Sequence, residues 1–330
     1  MIKEIDVDAF LSYLGEGVSR PALIIGDDSY KYILKTQKVL EDGKLVTYDC
    51  MFLNELIAYQ AAKFLEVPVP DAAIAHLDQR LIDADPQITF VHRFYSGVHF
   101  ASKELSKKEE NLKENYLDLL KMRKPYVSRS WKRFFDNIKN PEDISRIIAF
   151  DLLIANFDRY GNTGNLLIAE ENNERKVFTI DHGHSFFGPT WNTNKINYLK
   201  FPSATPEYTD TFVNFILRNN INDGSVNGLG EVFRAIENNI ELENVSNHSF
   251  QDAVSCIEGL SEAVVDEWFS AIPNTWFVDK NSQIAYYKYF IMKQKDLVRF
   301  IIQRLADREA FSNFRGGVLE WKAARHVGTV

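Results

Sequence analysis

The chain reads as an α+β protein of two lobes, a small β-rich lobe followed by a larger, mainly helical one. Three observations predict this division. Short apolar runs bounded by turn residues crowd the first hundred positions, with one amphipathic helical stretch among them. A highly charged segment then runs from Ser102 to Lys139. Beyond it, apolar residues recur almost throughout at helical spacing. On this reading residues 1–97 form the first lobe, 98–140 a helical connector and 141–330 the helical lobe.

In the first lobe, Ala22 to Ile25 and Tyr30 to Lys35 flank a turn at Gly26–Ser29, which predicts a hairpin. Period-two alternation puts Lys31, Ile33 and Lys35 on one face of its second strand. Thr47 to Glu66 carries Leu53, Leu56, Ile57, Ala61, Phe64 and Leu65 at helical spacing, with Asp49 as the expected N-cap and Pro68 closing the element. Glu55 falls at the edge of that apolar stripe. Ala72 to Leu77 and Ile88 to Phe94 read as two further strands.

The charged segment keeps Leu105, Leu112, Tyr116, Leu119 and Leu120 at helical spacing, so it reads as a solvated helix rather than a linker. Asn140, Pro141, Glu142 and Asp143 make a helix start, with Asn140 as cap and acids in the first turn. That helix delivers the chain into a loop holding Asp158 and Arg159. After an irregular stretch to about Pro206, helices are expected over Phe212–Leu217, Leu229–Ile240, Phe250–Phe269 and Ile284–Phe311, with Pro273 as a break.

Composition excludes several classes of function. The chain has 330 residues, 45% of them hydrophobic, enough for two cores. Two cysteines cannot build a disulfide framework at this size, so a cytoplasmic location is expected. The N-terminal residues lack the pattern of a secretory signal, and no run is apolar enough to span a bilayer. The net charge of -8 opposes general affinity for nucleic acid or anionic membrane.

The stretch from Asn156 to Ile168, followed by Ile180, Asp181, His182 and Gly183, concentrates the chemistry. Phosphoryl transfer needs a divalent cation on hard oxygen ligands, a cation on the inner phosphates and an oriented acceptor hydroxyl. Asp181 and Asn165 could supply the first, Lys35 the second and Asp158 the third. Glu55 could hold Lys35 in place by an ion pair, and Arg159 could brace the loop or neutralise phosphate charge. Upstream, Gly15, Gly17 and Ser19 could arch over phosphates through backbone N–H groups and the hydroxyl. Each has a plainer competitor: a glycine turn, a solvated lysine, or Asx-turns in the Asn-rich loop. His182 and His184 beside Asp181 also imitate part of a zinc cluster, without a third His or Cys nearby.

The order of these parts, glycine loop, lysine strand, glutamate helix, Asp158 loop, hairpin and Asp181, is that of the protein-kinase fold. The run Phe150–Ile168 with Ile180–Gly183 resembles the HipA-like kinases and, more distantly, type II phosphatidylinositol 4-kinases. Asn54–Ile57, Leu65–Pro70, Ile272–Trp276 and Phe300–Leu305 extend the resemblance over nearly the whole chain.

The resemblance implies an ATP- and Mg2+-dependent kinase of atypical bilobal fold that phosphorylates a protein serine or threonine. Asp158 takes the family's catalytic position, Asn165 and Asp181 its metal ligands, and Lys35 with Glu55 its lysine–glutamate pair. Ser19 is the candidate for autophosphorylation. Asn162 competes with Asn165 for the metal, and Asn165 is preferred because Leu166, Leu167 and Ile168 follow it directly. Asp181 is followed by His-Gly rather than Phe-Gly. The segment before Lys35 begins near Met1, which leaves no room for the N-terminal subdomain by which longer members engage an antitoxin. An antitoxin or other regulatory partner is therefore a secondary expectation. The alternatives are a lipid or small-molecule kinase, and a nucleotide-binding pseudokinase acting through a partner.

Overall fold

The structure, a computed structural model, describes residues 2–14, 20–109, 132–159, 165–219 and 230–324. Gly15, Gly17, Ser19, Asn162 and most of the expected helical connector lie outside the described residues.

The first lobe is built on β1 (Lys3–Tyr13), β2 (Ala22–Gly26), β3 (Lys31–Leu34), β4 (Lys38–Glu41), β5 (Lys44–Thr47), β6 (Ala72–Leu77) and β7 (Gly97–Lys103). Five of these close a barrel in the order β1-β2-β3-β7-β6, while β4 and β5 form a separate hairpin. β2 and β3 pair antiparallel, Ala22 opposite Leu34, through the expected turn. β1 runs antiparallel to β2 but parallel to β6, with Lys3 opposite Ala73, and that parallel pairing closes the barrel. Alternation along the strands sends Ile5, Val7, Ile24, Tyr32, Leu34, Ala73 and Ala75 inward, where Ile82, Ile88 and Phe94 complete the filling.

Helix α1 (Met51–Phe64) follows the hairpin. It starts later than the apolar pattern suggests, because Asp49 does not cap it. The Asp49 carboxylate instead accepts the N–H of Trp191 at 2.7 Å, and Cys50 occupies the cap position. Almost every face of α1 is buried, from Phe52 and Leu53 through Glu55 to Ala62. It packs within the larger core that also fills the helical lobe, so the small lobe is keyed into the large one by this helix.

The strand expected at Ile88–Phe94 is absent. Gln87–Phe90 forms a single helical turn, because Asp85 accepts the Gln87 N–H at 3.0 Å and Pro86 follows as the natural first helical residue. β7, beyond residue 97, is instead the strand that completes the barrel.

In the second lobe the first described helix is Asp143–Leu153. Asn140 does not cap it by accepting from its first turn. Its amide donates to Asp143 and to the Val177 carbonyl, while its oxygen accepts the Val177 N–H. The hairpin β8 (Leu166–Glu171) and β9 (Glu174–Thr179) follows, and then helices Thr193–Lys200, Pro206–Asn219, Gly230–Ile236, Gln251–Glu258, Glu262–Ser270, Lys280–Gln294 and Val298–Asp307. The stretch read as one helix over Phe250–Phe269 is broken at Gly259 and restarts at Ser261, whose hydroxyl accepts the Val264 N–H. Likewise Ile284–Phe311 is two helices. The architecture is bilobal α+β, kinase-like. No helix of the described residues is long and apolar enough to cross a membrane.

Candidate active site

Lys35 sits one residue past β3, where its N–H donates to the Phe100 carbonyl on β7 at 3.0 Å. That bond aims the side chain toward α1. The Lys35 ammonium donates to Glu55 and, at 2.8 Å, to Asp181 Oδ1. Both Lys35 and Glu55 are almost wholly buried, Glu55 at 2% exposure, so Glu55 is no surface charge at the stripe's edge. Burial alone would lower the Lys35 pKa, but the Asp181 and Glu55 carboxylates outweigh it and raise the group above its ordinary range. Burial pushes the Glu55 carboxyl upward in turn, and the Lys35 charge with the His182 imidazole draws it below the usual carboxylate range. The pair is ionised on both sides.

His182 and Gly183 lock Asp181 against α1. The His182 ring is buried edge-on to Phe150, with Nδ1 3.7 Å from Glu55 Oε2, an electrostatic contact rather than a hydrogen bond. Gly183 is required by close approach. A Cβ there would come within 2.6 Å of Met51 Cγ and 3.3 Å of Glu55 Oε1. Asp181 itself has φ 59°, a left-handed conformation that aspartate tolerates better than most residues. His184 diverges, with its ring against Tyr48. Among the described residues no three His, Cys, Asp or Glu side chains form a metal site, so the zinc-like spacing does not become a cluster.

The Asp158 loop is held from below. Arg159 is fully buried and forks onto Asp151, with Nε 3.0 Å from Oδ2 and a terminal nitrogen 2.9 Å from Oδ1. Its other terminal nitrogen donates to the carbonyls of Asn165 at 2.6 Å and Ile180 at 2.9 Å. One guanidinium thus joins the Asp143–Leu153 helix, the start of β8 and the residue before Asp181. These bonds are those of a brace, the first of the two expectations for Arg159. Asn156 adds a bond to Asp151 at 3.0 Å, and its oxygen accepts the Asp158 N–H at 3.3 Å.

Asn165 reaches back to Asp158, its amide donating to Oδ2 at 3.2 Å and to the backbone carbonyl at 3.3 Å. With the amide so used, its Oδ1 accepts no hydrogen bond among the described residues. Asp181 Oδ2 has none either, Oδ1 being taken by Lys35. Two hard oxygens on loops stapled together by Arg159 fit a divalent cation that draws its remaining ligands from phosphate and water.

Sequence reasoning missed a second tier of polar residues. The Asn54 amide donates to the carbonyls of Gly183, Ser185 and Gly188 at 2.7, 2.9 and 3.1 Å, and its oxygen accepts from Tyr287 at 2.6 Å. Lys195, buried, donates to the Phe186 and Gly188 carbonyls at 2.7 and 2.6 Å, and burial lowers its pKa to about 8. These bonds tie the segment after Asp181 to α1. The visible signal was a carboxamide in an otherwise apolar helical stripe.

Three solved structures are similar to the chain. The Helicobacter pylori proinflammatory kinase CtkA is 12% identical, with 94% of this chain and 98% of that one covered and a TM-score of 0.49. HipA of Shewanella oneidensis MR-1, solved with HipB and operator DNA, is 13% identical over 91% of this chain and 68% of that one, TM-score 0.40. Hydra Fam20, solved with sugar, is 11% identical over 95% and 88%, TM-score 0.40. No curated protein sequence matches the chain. The HipA-like kinase family matches residues 7–223, a span that holds Lys35, Glu55, Asp158, Asn165 and Asp181. The chain belongs to the HipA-like kinase family.

Proposed function

We propose that this protein transfers the γ-phosphoryl group of ATP, with Mg2+, to a serine or threonine hydroxyl of a protein. The observation that carries the reading is the single buried contact set in which Lys35 meets both Glu55 and Asp181. A lysine fixed by one carboxylate and shared with a second is equipped to steady phosphate oxygens on one side and a metal-binding aspartate on the other. When bound, the Mg2+ nucleotide supplies the transferable phosphoryl group and the charge neutralisation its transfer requires. Asn165 Oδ1 and Asp181 Oδ2 would hold the cation.

Asp158 is the residue that would orient the acceptor hydroxyl and accept its proton. Its backbone is fixed by Asn156 and one carboxylate oxygen by Asn165, which leaves the carboxylate aimed rather than swinging. Arg159 acts through these loops and not on the phosphate. A regulatory partner of the antitoxin type belongs to the same reading, and co-purification from the native cell tests it.

Incubation with radiolabelled ATP and Mg2+, offered in parallel to lysate protein, phosphoinositides and small alcohols, separates protein kinase from lipid or small-molecule kinase. Mass spectrometry then maps the phosphosite. Asp158→Asn and Asp181→Asn are expected to lower transfer by at least about a hundredfold, from lost general-base catalysis and lost metal binding. Only Asp181→Asn should also weaken Mg2+-dependent nucleotide binding. Wild-type turnover by Asp158→Asn would remove the base assignment. Tight nucleotide binding with no transfer to any acceptor would mark a pseudokinase.

A further inference from the structure

The segment after Asp181 is bent against the preference of its own residues. Phe186, Phe187 and Gly188 take φ 56°, 64° and 112° in succession. Only the glycine enters that left-handed region freely, and two bulky residues in a row stay there only where the surroundings impose it. Ring packing accounts for the side chains, with Phe186 on Tyr287 and Phe290 and Phe187 on Tyr198 and Phe212. The backbone of the bend is held by something else. Its carbonyls point at two buried side chains, Asn54 and Lys195, rather than into a regular ladder.

Among the described residues the Gly183 carbonyl accepts only from Asn54 and the Phe186 carbonyl only from Lys195, while both side chains share the Gly188 carbonyl. Lys195 is 1% exposed, and no carboxylate of the described residues lies within ion-pair distance of it. Burying an ammonium is costly, yet this one faces only two backbone carbonyls and the Tyr287 ring, 5.1 Å away. On α1, Asn54 directly precedes Glu55, so the residue that grips the bend and the residue that grips Lys35 share one turn of helix. The far end of the segment is bound to the start of the same helix. There the Cys50 N–H donates to the Pro189 carbonyl at 2.7 Å, and the Trp191 N–H donates to Asp49.

We propose that Asn54 and Lys195 are positioning residues that latch the 183–188 bend onto α1, so that Asp181 stands against Lys35 before any nucleotide arrives. The inference rests on reading Asp181 as the metal-binding aspartate. Cutting the latch frees the left-handed bend to relax, and Asp181 at its head loses register with Lys35. The Lys35–Glu55 pair lies wholly within the first lobe and survives. The effect therefore falls on the metal-dependent share of nucleotide affinity, through lost preorganisation.

Calorimetry of the full chain with a non-hydrolysable ATP analogue, with and without Mg2+, tests this together with amide hydrogen exchange over 183–191. Asn54→Asp keeps the shape and the acceptor for Tyr287 but replaces the donor to the carbonyls by a carboxylate oxygen. Lys195→Met keeps the length and removes the charge with both of its bonds. Each variant is expected to reduce the tightening of binding by Mg2+ at least about tenfold, with Mg2+-free binding within about twofold of wild type. Exchange at the Phe186, Gly188 and Trp191 amides should quicken at least about tenfold while the barrel strands keep their protection. Equal loss of both affinities, or loss of protection throughout the chain, would show a general loss of stability and overturn the proposal. Unchanged Mg2+ dependence in the variants would overturn it even where exchange quickens. Removing Lys195 strands no opposite charge, so Lys195→Met decides the matter even if Asn54→Asp fails to fold. Wild-type affinity indifferent to Mg2+ would sink the kinase reading and this proposal with it, whereas variants that respond to Mg2+ as wild type does would sink this proposal alone.

Discussion

Arg159→Met removes a side chain that ties the Asp158 loop, β8 and the residue before Asp181 together, and the structure sets the size of the effect. The Asp151 carboxylate is 1% exposed and accepts from two nitrogens of Arg159 and from Asn156. Without the guanidinium it keeps only the Asn156 amide, a neutral donor for a buried charge. Breaking a buried pair on one side costs about 3–5 kcal/mol. The Asn165 and Ile180 carbonyls lose their donor as well, although the Ile180 N–H still reaches Asn165 at 3.2 Å. Replacing both partners, as Asp151→Leu with Arg159→Met, removes the stranded charge and should recover most of the lost stability, since apolar substitutes for a buried pair are often neutral or better. Activity should not return with it, because the guanidinium that braces the Asp158 and Asp181 loops is then gone and the bonds that remain, from the Asn165 amide to Asp158 and from the Ile180 N–H to Asn165, lack its support. Urea unfolding gives the first quantity and phosphoryl transfer from labelled ATP the second. A loss below about 1 kcal/mol in Arg159→Met would refute the brace. So would a double variant that regains transfer along with stability.

Two further outcomes follow from the same geometry. Gly183→Ala should cost about 1–3 kcal/mol by overpacking against Met51 and should reduce transfer by displacing the Lys35–Glu55 pair. Adding Met51→Ala should make the combined cost smaller than the sum of the two single changes, and strict additivity in urea unfolding would show that the two positions do not collide. His99 is buried beside Phe52, Phe94 and Tyr95, its Nε2 has no partner, and burial brings its pKa to about 4. An unfolded histidine takes up its proton near 6.5, so this contribution to stability is intact above that pH and is lost as pH falls toward 4. The gap corresponds to roughly 3 kcal/mol. His99→Phe should therefore lose less stability than wild type between neutral pH and about pH 4.5, and an equal loss in the two proteins would count against it.

The parts of the site that were legible in the sequence are those whose chemistry is local. Asp158, Asn165 and Asp181 flank a hairpin short enough to read from its turn residues, and Lys35 follows an alternating strand. Residues whose partners lie far along the chain could not be read. Asp49 has the right type and place for an N-cap, yet its carboxylate serves Trp191 on the other lobe. Glu55 looked like a rim residue because no periodicity shows that the barrel and the helical lobe bury α1 from both sides. Asp151 would pass for a surface charge on an amphipathic helix until Arg159 is seen against it. The error at Ile88–Phe94 was of another kind. Its apolar residues suit a strand, but the Asp85–Pro86 start favours a helical turn, and the local cap prevailed over β-propensity. Breaks at Gly259 and Ser261 were likewise written in local signals that a continuous apolar spacing concealed.

The parallel pairing of β1 with β6 also makes the first lobe a problem of timing. The ribosome delivers Lys3 long before Ala73, at roughly 5–20 residues per second, so β1 has only its antiparallel hairpin partner β2 for several seconds. During that interval the edge that will meet β6 is an open row of backbone donors and acceptors, the kind of surface on which nascent chains mispair. Closure waits for β7 as well, since β3 and β6 meet only through it. The Lys35 bond to Phe100, and with it the aim of the lysine, can form no earlier than that last strand.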